Sequence, residues 1–183
     1  MNMLASSGQL RASVLRWALF TVPLIVLLGF LSGQLGGPDS EWFQSLTKPA
    51  TFPPPAAFPI VWTILYVLIG IALALVCSAW GARARGAAIA AFVFHFLFNL
   101  AWTPVFFGAH QLTWGLIVLL LVDVTLVVVI ALFWRVRRLA GMLLLPYLAW
   151  VLFATLLNWQ FLQMNPQADG RLSTTPSDRV RIG

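Results

Sequence analysis

Residues 112–134 read LTWGLIVLLLVDVTLVVVIALFW, an apolar run whose one charged residue is Asp123, and residues 135–138 that follow it read RVRR. At about 1.5 Å per residue, a helix of this length crosses a hydrocarbon core of about 30 Å. In that core only an α-helix or a closed barrel satisfies the backbone. The run shows none of the alternation of a barrel strand, so it is read as a transmembrane helix.

The same pattern repeats outward. Apolar runs at about residues 14–32, 58–80, 87–107 and 143–163 are long enough to span a bilayer. Turn chemistry separates them: Gly36-Gly37-Pro38-Asp39-Ser40, then residues 81–86 (GARARG), then the very short Gly108-Ala109-His110-Gln111. So short a link makes the third and fourth spans antiparallel neighbours. The first run exceeds the ~7–15 residue core of a signal peptide, although Arg11 and Arg16 precede it. The expected fold is an all-α integral membrane protein, a bundle of five transmembrane helices over residues 14–163. A disordered leader (1–13), a long first loop (34–57) and a polar tail (164–183) complete it.

Composition agrees. The chain is 61% hydrophobic and 9% charged, against roughly 45–50% and about 25% in soluble domains. Charge sets the expected orientation. Arg11, Arg16, Arg83, Arg85, Arg135, Arg137 and Arg138 fall on one side and no acid accompanies them. The positive-inside rule places that side, with the N-terminus, in the cytoplasm. Which membrane holds the chain is open, with a bacterial cell membrane favoured. The high pI reflects this asymmetry, and no basic patch interleaved with stacking aromatics points to nucleic acid. Cys77 is the only cysteine, and with two histidines it offers no structural metal site.

Polar groups within hydrocarbon need a reason. His95, Asn99, Trp102 and Phe106 fall within about 60° of arc on the third helix. Trp62, Tyr66, Ile69 and Leu73 form a similar stripe on the second, as do Tyr147, Trp150, Ala154 and Asn158 on the fifth. Converging stripes would line an aromatic, sparsely polar pocket suited to a large flat ligand. Each has a plainer alternative. The asparagines and His95 would serve as interhelical hydrogen-bond glue, His95 alternatively as a haem ligand, and Pro104 and Pro146 as kinks. Trp17, Trp80, Trp114 and Trp134 suit interfacial anchors. Asp123 is expected to be a neutral, hydrogen-bonded acid. Gly86, Ala87, Ala90 and Ala91 form a small-residue back face on the third helix, suited to close contact with a second copy. The first loop, from Lys48-Pro49 through Pro53-Pro54-Pro55 to Phe58-Pro59, is stiff and too apolar for a solvated linker. With Trp42 it is expected to fold over the bundle as a lid, the plainer alternative being a loop that lies on the membrane surface.

These stretches resemble the translocator protein family, also called tryptophan-rich sensory proteins or peripheral-type benzodiazepine receptors. The resemblance runs from Glu41-Trp42 to Asn158-Trp159. It is carried by Lys48-Pro49, Pro53-Pro54, residues 58–66 (FPIVWTILY), residues 99–108 (NLAWTPVFFG) and Pro146-Tyr147-Leu148-Ala149-Trp150. It implies a five-helix bundle, commonly a homodimer, that binds porphyrins, sterols and isoquinoline-type drugs under the first loop. The positions it implies are Trp62, Tyr66, Asn99, Trp102, Trp114, Leu121, Trp150 and Ala154. The chain departs from the family where Thr51 replaces an aromatic and where His95 replaces a frequent glutamine. The sterol pattern of the fifth helix is incomplete, since Trp159 stands for its tyrosine and no basic residue follows before Arg171.

The leading expectation is a membrane binding protein for porphyrin-type ligands (protoporphyrin or haem) with no obligatory cofactor, in tetrapyrrole or stress-linked regulation or transport. Its partners would be that ligand, membrane lipid and a second copy. The resemblance also implies an alternative, light- and oxygen-dependent breakdown of protoporphyrin through Trp62 and Trp150, though no catalytic acid–base pair or metal cluster is evident. A proton-coupled or lipid or sterol transporter, with Asp123 as the proton site, is the third reading. No evident inverted repeat supports it.

Overall fold

The computed structural model describes residues 7–170. The chain forms α1 (Ser7–Gly33), a short α2 (Glu41–Ser45), α3 (Ala57–Cys77) and α4 (Arg85–Thr103). A π-helical turn (Pro104–Gly108) extends α4, and α5 (Leu112–Val136), α6 (Arg138–Leu143) and α7 (Leu145–Met164) follow. With α6 and α7 taken as one span, five helices are long and apolar enough to cross a membrane. The described residues include no strand. The protein is a multi-pass integral membrane protein.

Several boundaries differ from the expectation. Residues 7–13, placed in the leader, are the first turns of α1; residues 1–6 lie outside the described chain. The second span stops at Cys77 because Ser78–Trp80 turn, with Ser78 Oγ donating to the Leu75 carbonyl at 3.0 Å. The fifth span begins at Arg138 and breaks at Leu144, just before Pro146. Proline has no N–H and its ring crowds the carbonyl four residues back, so the helix restarts there. Residues 165–170 pack against the loops, and residues 171–183 lie outside the described chain.

The helices form a ring in which α1 touches α3, α3 touches α6 and α7, α7 touches α5, α5 touches α4, and α4 closes onto α1. Small residues set the closest approach. A methyl at Gly70 of α3 would lie 2.6 Å from the Val22 backbone of α1. There the buried Thr21 hydroxyl donates to the Gly70 carbonyl at 2.8 Å. In lipid, where association gains little from hydrophobicity, such packing and bonding hold helices together.

The first loop closes one end of the ring. Trp42, Phe43 and Leu46 are buried against Phe106, Leu112 and Phe161. The loop's own chemistry shapes it. Ser40 caps α2 by accepting from the Phe43 N–H, and the Lys48 ammonium donates to the carbonyls of Phe43, Gln44 and Leu46. Proline-rich residues 53–55 lead into α3, whose first turn begins as Ala57 N donates to the Pro54 carbonyl at 2.8 Å. Asn165, just past α7, grips the loop by accepting from Thr47 N at 2.8 Å and donating to the Thr47 carbonyl at 2.9 Å.

Candidate functional site: an aromatic cavity beneath the first loop

A cavity of ≈ 520 Å³ lies between the helices at the looped end, within the range of about 300–1,000 Å³ that ligand pockets occupy. Trp62, Tyr66, Asn99, Trp102, Phe106, Trp150, Ala154 and Asn158 all line it. The three stripes expected from helical spacing thus meet in one place. Trp62 stacks on Tyr66 at 5.2 Å, and Trp102 stacks on Phe106 at 5.0 Å. The Phe58 ring meets Trp150 edge-on at 5.9 Å, so the loop's end and α7 share a wall.

The π turn explains the far wall. Pro104 cannot donate to the helix ladder, and the ladder reopens one residue wider, with Ala109 N donating to the Pro104 carbonyl at 2.8 Å. The extra residue swings Phe106 inward and Phe107 toward Phe43, whose ring is 5.2 Å away. The link to α5 then turns at His110, whose φ of 57° is rare for a residue with a side chain. The His110 ring stacks on Trp42 at 4.6 Å.

Tyr147, expected among the ligand contacts, is instead fully buried and is absent from the lining. It sits in the layer behind Asn99. Asn99 Nδ2 donates to its hydroxyl at 2.8 Å, and the hydroxyl lies 3.0 Å from His95 Nε2. His95 Nδ1 lies 2.9 Å from Thr125 Oγ1, and Thr125 spends its own proton on the Leu121 carbonyl at 2.6 Å. With that proton committed, Thr125 accepts from His95 Nδ1–H. His95 Nε2 then accepts from Tyr147, and Tyr147 accepts from Asn99. The chain therefore runs in one direction across α4, α7 and α5. Both His95 nitrogens are occupied, which leaves neither free for a haem iron.

This relay fixes which end of the Asn99 amide remains. Its Nδ2 is committed, and among the described residues its buried Oδ1 has no partner, nor has the buried Trp150 Nε1. Asn158 is used up, donating from Nδ2 to the Leu112 carbonyl at 2.8 Å and accepting from Trp102 Nε1 at 3.4 Å. It fits because a methyl at Gly115 would lie 2.9 Å from its Oδ1. Asp123 lies outside the lining, buried between α5 and α7, where Thr155 Oγ1 donates to one carboxyl oxygen at 2.8 Å.

Two expected contacts are corrected. Trp114 and Leu121 are 60% and 42% exposed and face away from the cavity. The inward face of α5 is Gly115, Leu119 and Val122, and Trp114 and Leu121 fall off it by a residue or two, at about 100° per residue. Of the small-residue face on α4, Gly86, Ala87 and Ala90 are open, but Ala91 is turned partly into the core. The periodicity missed the contribution of α1. Val26, Gly29, Phe30 and Gly33 complete the cavity. Their one sequence signal is a pair of glycines four apart, and it carried no polar or aromatic mark.

The sequence pattern of the TspO/MBR family matches residues 21–164. This chain belongs to the TspO/MBR family. Its relatives include the tryptophan-rich protein TspO of Chlorobaculum tepidum, 35% identical over 79% of this chain and 93% of that protein. Protein CrtK of Rhodobacter capsulatus is 36% identical over 74% of this chain and 84% of its own length. The human translocator protein is 36% identical over 75% and 88% respectively. The TspO/MBR match takes in all the cavity-lining helices from mid-α1 to the end of α7.

Proposed function

We propose that this protein binds a porphyrin-type, or similarly large and flat, hydrophobic ligand in the cavity beneath the first loop, in tetrapyrrole or stress-linked regulation or transport. The observation that carries the reading is the lining itself. Indole, phenol and phenyl rings from α3, α4 and α7 surround a space of ≈ 520 Å³, and the few polar side chains among them include Asn99 and Asn158. Aromatic walls with few polar groups suit a large flat macrocycle with little buried charge. Among the described residues no lysine or arginine lines the cavity, and Asp39 is the one charged lining residue. Acidic substituents of the ligand therefore stay at the loop's edge, in water.

Titration of the purified protein with protoporphyrin, haem and cholesterol, read by tryptophan quenching, tests the reading. Trp62→Phe and Trp150→Phe are each expected to weaken protoporphyrin binding several-fold while thermal stability holds. Unchanged curves in both variants would defeat it.

A second reading rests on the same two indoles. Trp62 and Trp150 both line the cavity, so a photosensitising guest would sit against oxidisable rings. Illumination with oxygen should then consume protoporphyrin over many turnovers. A single round of tryptophan oxidation would mark damage and leave the binding role standing.

A further inference from the structure

The arginine-rich end of the bundle holds a second cleft, of ≈ 390 Å³, that shares no residue with the aromatic cavity. Ser13, Arg16, Trp17 and Phe20 line it from α1, at the i, i+3, i+4, i+7 spacing of one helix face. Trp80, in the turn after α3, forms the other wall, its ring 6.5 Å from that of Trp17. The Arg85 guanidinium lies 4.2 Å from the centre of the Trp80 ring. Its Nε donates to the Cys77 carbonyl at 3.0 Å, one of the carbonyls left open at the end of α3. That bond leaves its terminal nitrogens without a hydrogen-bond partner among the described residues.

Charge is unbalanced here. Arg16 is exposed, and no hydrogen bond or ion pair holds it among the described residues. The described acids lie elsewhere: Asp39, Glu41 and Asp169 at the looped end, and Asp123 within the bundle. The cleft is also open to hydrocarbon, since Phe20 is 59% exposed and Trp80 69%. It thus joins unneutralised guanidinium, interfacial indole and an apolar flank at the depth where headgroups meet acyl chains.

We propose that this cleft binds one anionic phospholipid. Arg16 meets the phosphate, and Arg85 reinforces the positive field from the Trp80 side. Trp17 and Trp80 hold the glycerol region, and an acyl chain runs past Phe20. A guanidinium pairs with phosphate through two parallel N–H donors, while the apolar flank discriminates a lipid from a free ion. The positive-inside rule puts this end in the cytoplasmic leaflet, where anionic lipid attracts basic segments.

Native mass spectrometry of the full chain in detergent, with equal amounts of dioleoyl phosphatidylglycerol and dioleoyl phosphatidylcholine, tests this. The wild type is expected to retain phosphatidylglycerol selectively. Arg16→Gln should cut that retention about fivefold, the effect of one basic residue at an anionic surface. Trp80→Leu should lower it with Arg16 intact. Arg135→Gln, a basic residue of the same end outside the cleft, should leave it unchanged. Equal losses in Arg16→Gln and Arg135→Gln would reduce the effect to diffuse surface charge and overturn the site. So would unchanged retention in both cleft variants, or equal retention of phosphatidylcholine. Displacement of the lipid by inorganic phosphate would overturn it in favour of an ion site.

Discussion

The hydroxyl of Tyr147 accepts from Asn99 and donates to His95, so one oxygen joins α7 to α4 and, through Thr125, to α5. Tyr147→Phe keeps the ring and strands two buried groups. The expected loss is about 1–3 kcal/mol of stability, read as a lower unfolding temperature in detergent. Gly29→Ala acts differently. The added methyl would lie 2.2 Å from the Tyr66 ring, and the cheapest relief moves the far end of that ring into the cavity. Ligand affinity is expected to fall several-fold with the unfolding temperature nearly unchanged; intact affinity would show that Tyr66 has another way to move. These two residues mark what a sequence can and cannot reveal. Asn99, Trp102 and Phe106 were legible because polar and aromatic groups recur at helical spacing inside an apolar run. Tyr147 and Trp150 share that spacing, and a helical wheel gives direction without depth, so the buried residue and the cavity-lining one looked alike. Gly29 was invisible because its role is defined by a ring on another helix.

At the scale of elements, the spans were legible from hydropathy, since a run that long without charge has few other fates in water or lipid. The helix ends were less so. The π turn at Pro104 and the break at Leu144 depend on how neighbouring helices absorb a proline. Residues 165–170 read as plain polar tail, yet their side chains do structural work at two loops. Asp169 accepts from the N–H groups of Leu112 and Thr113 at the start of α5, where free donors and the helix dipole favour a carboxylate. Asn165 holds Thr47 by both its N–H and its carbonyl, fastening the first loop to the end of α7. Asn165→Ala removes both bonds, together with the Nδ2 bond to the Phe161 carbonyl at 2.9 Å, while substituting no cavity-lining residue. Ligand dissociation is expected to speed up about fivefold, the worth of roughly 1 kcal/mol, and amide exchange across residues 41–52 should quicken in parallel. Faster exchange without faster dissociation would mean the loop does not gate the cavity.

For the whole molecule, the open question is what covers the outer face of α4. His95 and Asn99 turn inward, while Gly86, Ala87 and Ala90 remain open and a side chain at Gly86 would meet nothing within 4 Å. Beyond them Val93, Phe94 and Leu97 are 54–60% exposed, so the small-residue stretch gives way to bulk about two turns along. Lipid alone can cover such a face, since acyl chains are as apolar as leucine, but small residues at four-residue spacing let two backbones approach and gain dispersion contacts lipid cannot match. Close contact is therefore expected at the Gly86–Ala90 end, with the helices splaying toward Phe94. The inward turn of Ala91 narrows the contact to the row through Gly86, Ala87 and Ala90. Ala90→Leu is expected to shift the detergent-solubilised protein from dimer to monomer while ligand affinity stays put, because the altered face lies across α4 from Asn99. Light scattering that finds an unchanged dimer in Ala90→Leu would exclude this face. A wild type that is monomeric at every concentration would exclude the dimer, and lipid would then be the cover for α4.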